Sequence, residues 1–110
     1  MNFSWKIRLA QAAEDDLRQI IHWTAANFGR RQAKTYAITL AKAIDVLANG
    51  PSVPGARPRE EVGPGIHTLH VARQGRRGRH FVVFRTSSDE QYVEVLRVLH
   101  DAMELRRHFD

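Results

Sequence analysis

Residues 13–51, AEDDLRQIIHWTAANFGRRQAKTYAITLAKAIDVLANGP, decide the architecture. Ala13, Leu17, Ile20, Ile21, Thr24 and Phe28 recur at helical spacing, and Glu14, Asp15 and Asp16 put negative charge at the positive N-terminal end of that helix. Gly29 comes next, a residue suited to the left-handed position beyond a helix C-terminus. A second apolar stripe, Ala33, Tyr36, Ala37, Leu40, Ala43, Ile44 and Leu47, is closed by Asn49, Gly50 and Pro51. So short a junction predicts an antiparallel helical hairpin.

Upstream, Phe3, Trp5, Ile7 and Leu9 alternate with polar residues, which reads as a strand and not as the apolar stretch of a signal peptide. Downstream, PSVPGARPREEVGP (51–64) holds all four prolines, so it is neither helix nor central strand. Three runs rich in β-branched and aromatic residues follow, Ile66 to Ala72, His80 to Thr86 and Tyr92 to Leu99. They predict a meander of antiparallel strands. Asp101 to His108 is expected to add a short terminal helix. The fold class is therefore α+β, ordered β-α-α-β-β-β, with the hairpin packed on an antiparallel sheet. A chain of 110 residues has apolar material for one core, and residues 1–110 are read as one domain.

Composition narrows the function classes. Cysteine is absent, which removes disulfides and thiolate metal sites and makes the cytoplasm the expected location. No apolar run approaches the roughly 20 residues that span a bilayer, so no membrane partner is expected. The net charge of +5 is concentrated between residues 57 and 85, where Arg57, Arg59, Arg73, Arg76, Arg77, Arg79 and Arg85 face only Glu60 and Glu61. Such a field favours an acidic protein segment or nucleic acid.

Catalytic motifs are sparse. Of six histidines, His67 and His70 lie three apart in a strand and point to opposite faces, and none of the others has the spacing of a metal pair. No metal and no cofactor is expected. The serines lack a nucleophile elbow, and Gly75 and Gly78 flank arginines without leading into a helix. Metal-free RNA cleavage is the enzymatic option that remains, needing a base, a proton donor and cations over the phosphate. Arginines together with His67 or His100 are the residue types for it.

Three stretches carry a resemblance. They are Ala13-x-x-Asp16-Leu17-x-x-Ile20-x-x-Trp23 continuing to Phe28-Gly29-x-x-Gln32-Ala33-x-x-Tyr36; the 51–65 segment with Gly55-x-Arg57 and Gly63-Pro64-Gly65-Ile66; and Val95-Leu96-Arg97-Val98-Leu99-His100-x-x-Met103-x-x-x-Arg107-His108. Over nearly its whole length the chain resembles the ParE branch of the RelE/ParE toxin superfamily. The resemblance implies the toxin of a type II toxin–antitoxin module, of the kind associated with plasmid stabilisation, neutralised by a small ParD-like antitoxin that wraps it. For the ParE branch it implies inhibition of DNA gyrase. The RelE branch implies instead an mRNA endonuclease acting on the ribosome. Here the central strands contain no lysine and the ending lacks tyrosine, which disfavours that alternative, and His67 stands where relatives often carry arginine.

On this reading Leu17, Ile21, Trp23, Tyr36 and Leu40 of the hairpin, with Arg73, Arg76, Arg77 and Arg79, are the expected antitoxin contacts. Arg97, His100, Met103 and Arg107 are the expected target contacts. Were the chain a ribonuclease, Arg57, His67, Arg79, Arg97 and His100 would be its catalytic set. A nontoxic module whose basic loop holds nucleic acid is the third class.

Overall fold

A computed structural model describes residues 4–103. Strand β1 (Lys6–Leu9) runs almost directly into helix α1 (Gln11–Phe28), which is joined to α2 (Arg30–Asp45) through Gly29 alone. Gly29 has φ 91° and ψ 168°, a conformation open to glycine, and this single residue reverses the chain so that the helices pack as the expected hairpin. A short 3-10 turn (Val46–Asn49) ends the helical half. The proline-rich segment contributes only β2 (Arg57–Pro58), at the sheet's edge where proline's missing N–H costs nothing. Then come β3 (Ile66–His70), β4 (His80–Ser87) and β5 (Tyr92–His100).

The sheet order is β1-β5-β4-β3-β2. The meander is antiparallel as expected, but β1 joins it parallel to β5, with Lys6 opposite Tyr92 and Leu9 opposite Val95. The sheet is therefore mixed and not antiparallel throughout. The whole chain between β1 and β5 acts as the crossover that a parallel pair requires. Between β4 and β5 the register slips at Val83 and Phe84, which face Arg97 and Val95, so Leu96 is an extra, bulged residue.

Alternation along the strands divides the core. Leu69, Val71, Val82, Phe84, Val93, Val95 and Val98 meet Ala13, Leu40, Ala43, Ile44 and Leu47 of the helical half. On the other face Ile66, Val83 and Leu99 form a smaller cluster with Val62, Phe81 and Leu96. Leu40, expected to touch a partner, is 1% exposed and belongs to the larger core, where burial of a leucine contributes about 1.5–3 kcal/mol. Leu17 and Ile21 pack, partly buried, against the same core. After β5 the chain turns at Asp101–Met103; the expected terminal helix, and Arg107 with it, lie outside the described residues.

Candidate functional site

One side of α1 is left uncovered by the sheet. Trp23 and Phe28 stand 59% and 65% exposed with their rings edge to face, 5.7 Å between centroids. Ile20, Thr24 and Phe28 continue this face along the helix, Thr24 donating its hydroxyl to the Ile20 carbonyl at 2.7 Å. Opposite stands the connection between β3 and β4, carrying Arg76, Arg77 and Arg79, and between the two walls opens a groove of about 920 Å³. Its floor is Tyr36 of α2 with His80 and His100 from the adjoining ends of β4 and β5.

Tyr36 ties this floor together. Its hydroxyl is hydrogen-bonded to His80 Nδ1 at 2.6 Å and accepts the Arg79 N–H at 3.1 Å. Burial, and then the neighbouring His100, press the pKa of His80 down to about 4, so the ring is neutral near pH 7. Burial likewise raises the Tyr36 hydroxyl above the usual phenol range, so it keeps its proton near pH 7. Gly78 allows the close approach: a Cβ there would lie 2.5 Å from Val71 Cγ2 and 2.9 Å from the Tyr36 hydroxyl. A side chain at 78 would push the basic connection off the helix.

At the groove's far rim Asp101 accepts His70 Nε2–H at 2.9 Å and Arg79 Nε–H at 3.2 Å. The His70 bond first, and Arg79 after it, hold this carboxyl below the ordinary aspartate range. A second aspartate works deeper. Asp16 of α1 takes Arg97 through both oxygens at 2.8 and 2.9 Å and also accepts the Val98 N–H at 2.9 Å. This edge of β5 lies beyond the last residue paired with β1, so a carboxylate replaces the missing strand.

The expected antitoxin contacts therefore separate. Trp23, Tyr36, Arg76, Arg77 and Arg79 converge on the groove, whereas Leu17, Ile21 and Leu40 serve packing and Arg73 points elsewhere, donating to the Pro54 carbonyl at 3.3 Å. Among the expected target contacts, His100 lines the groove and Met103 is 47% exposed, but Arg97 is committed to Asp16. The conditional catalytic set does not assemble: Arg79 and His100 share the groove, Arg57 lies at the β2 edge, and His67 stacks on Phe84 at 5.5 Å. Sequence reasoning missed Phe28 as a wall residue, taking it for helix packing, and missed His80 and Asp101. Phe28 sits where the apolar stripe runs out at the helix end, a position that a short hairpin cannot cover.

The helical hairpin packed on a mixed sheet is a fold shared with known proteins. The family model described as the ParE toxin of the type II toxin–antitoxin system parDE matches residues 7–105. Toxin ParE1 of Caulobacter vibrioides is 32% identical over 101 residues, covering 92% of this chain and 94% of that protein. Toxin ParE1 of Mycobacterium tuberculosis is 32% identical over 100 residues, covering 91% and 93%. Among solved structures, a chain of the chromosomal ParDE system from P. aeruginosa superposes with a TM-score of 0.72 at 19% identity over 90% of this chain and 98% of that one. A chain of the RelBE2 toxin–antitoxin complex from Mycobacterium tuberculosis gives 0.57 at 22% identity, covering 88% and 98%; these two likenesses speak to the fold. The chain belongs to the ParE toxin family of type II toxin–antitoxin systems.

Proposed function

We propose that this toxin inhibits DNA gyrase and is held inactive by a cognate antitoxin whose acidic, amphipathic segment lies in the groove between α1 and the β3–β4 connection. The observation that carries the antitoxin half is the pairing of walls: exposed Trp23 and Phe28 supply the aromatic anchors on which binding energy concentrates, and Arg76, Arg77 and Arg79 supply charge for partner carboxylates. Membership of the ParE family supports the gyrase half. The ribosomal mRNA endonuclease reading draws less support, because Arg57, His67 and Arg97 stand apart from Arg79 and His100.

The test is expression of the toxin without antitoxin, followed by purified assays. The proposal expects inhibited supercoiling and trapped cleavage complexes in vitro and an early DNA-damage response in cells. Translation arrest with discrete transcript ends, preceding any DNA damage, would overturn it in favour of RNA cleavage. For the groove, Trp23→Ala is expected to weaken antitoxin binding about 30-fold or more, the loss of a central aromatic anchor being worth 2 kcal/mol or more. Unchanged affinity would move the antitoxin to another surface.

A further inference from the structure

The groove uses only part of the arginine cluster. Arg57, Arg59 and Arg73 surround a different hollow, of about 680 Å³, at the β2–β3 edge of the sheet. Arg57 lies directly across from Thr68 in the β2–β3 pairing, and Arg59 Nε donates to the Thr68 hydroxyl at 3.0 Å. The Arg59 guanidinium also lies 5.7 Å from the Phe81 ring centre, so it is fixed from two sides while both terminal nitrogens stay unassigned. Arg73 is steadied by one bond, to the Pro54 carbonyl, and keeps its remaining donors.

What steadies the Arg59 and Arg73 guanidinium groups is uncharged. Among the described residues none of the three forms an ion pair, and no carboxylate lines the hollow. Asp101, bonded to the lining residue His70, is already shared with Arg79. Elsewhere on the chain Arg79, Arg85 and Arg97 all have aspartate or glutamate partners. Three arginines about one hollow, two of them held in place and none in an ion pair among the described residues, form a site for anionic oxygens.

The two concave surfaces differ in what they can hold. The groove presents two exposed aromatic anchors typical of a protein interface, while the hollow has Phe81 half-buried and three arginines about it, the positive charge typical of nucleic-acid contacts. We infer that Arg57, Arg59 and Arg73 form a phosphate-binding surface for the backbone of duplex DNA, distinct from the groove. The choice of DNA rests on the gyrase reading above, since that target holds duplex DNA. The toxin then meets its target together with the DNA, and the groove remains free for protein.

The test is fluorescence anisotropy of the full-length toxin, without gyrase or antitoxin, on a labelled 20-base-pair duplex in low salt. The variant Arg57→Gln/Arg73→Gln is compared with the equal charge change Arg30→Gln/Arg31→Gln at the exposed start of α2. Three phosphate contacts predict a slope of log affinity on log salt of about −2.7, falling by about 1.8 in the first variant, with affinity in 50 mM salt reduced roughly tenfold. The second variant should keep most of the binding. Equal losses in both variants, no binding in low salt, or tighter binding to single-stranded RNA of the same length would overturn the inference. Because gyrase is absent, the outcomes separate: DNA binding without inhibition of supercoiling fails the gyrase reading alone, and inhibition without DNA binding fails this one alone.

Discussion

Asp16 and Asp101 do the same chemistry in two regions of the molecule, and the difference lies in what surrounds them. Each accepts an arginine and one further N–H donor. At the seam between α1 and β5 the Asp16 and Arg97 side chains are 12% and 27% exposed; at the groove rim Arg79 is 71% exposed beside Asp101 at 20%. An enclosed pair cannot be broken without leaving a desolvated charge behind, whereas water replaces either partner of an exposed one at little cost. The seam thus fastens the helical hairpin to the sheet, and the rim leaves Arg79 available to a competing carboxylate.

The largest expected effect breaks the seam. Asp16→Ala strands Arg97 and deprives the Val98 N–H of its acceptor, at a cost of about 3–4 kcal/mol. For a domain of this size that lowers Tm by roughly 10–20 °C, readable by circular dichroism. Asp16→Asn keeps an acceptor and should lose about half as much. A loss below about 1 kcal/mol in the alanine variant would show that solvent enters the seam and that the two aspartates are alike.

That contrast also marks where the sequence was legible. The helical hairpin and the β3-β4-β5 meander follow from apolar spacing and from Gly29, because local periodicity reports burial of neighbouring residues. The parallel pairing of β1 with β5 does not, since nothing local to Lys6–Leu9 names a partner near the other end of the chain. Convergence of Trp23, Tyr36, Arg76, Arg77 and Arg79 was readable as an apolar stripe opposite a basic connection. The fates of individual arginines were not: Arg97 and Arg79 differ only in their distant partners, Asp16 and Asp101, and a bulge at Leu96 decides the local geometry of the first. Leu40 was misassigned because spacing places a residue on the inner stripe without saying how deep it sits.

The next effect concerns the groove floor and its pH dependence. His80 is depressed in the fold from 6.5 to about 4, so between those values the unfolded chain binds a proton that the folded one refuses. Stability is therefore complete above about pH 6.5 and declines as the pH falls towards 4, by on the order of 1–2 kcal/mol once partial solvent screening is allowed for. His80→Asn, which offers Tyr36 a non-titrating amide in the place of the ring, should flatten the curve in that window. The lowered carboxyl of Asp101 acts separately: an ordinary aspartate titrates at 3.8, so its stabilisation is lost only as the pH falls below that. An unchanged slope in the asparagine variant would assign the pH response to other histidines.

The smallest effect on stability tests the rim. Arg79→Ala removes one of the partners of Asp101 but leaves the His70 bond and the backbone bond from the residue 79 N–H to Tyr36 in place, so Tm should stay within about 2 °C. Antitoxin affinity should nevertheless fall about tenfold, mostly through faster dissociation, if Arg79 exchanges Asp101 for a partner carboxylate on binding. Calorimetry and surface plasmon resonance on one preparation read both numbers. A large drop in Tm with unchanged affinity would make this pair a structural clamp like the seam. The reverse pattern gives the two aspartates different work: Asp16 holds the fold, and Asp101 holds an arginine until the partner arrives.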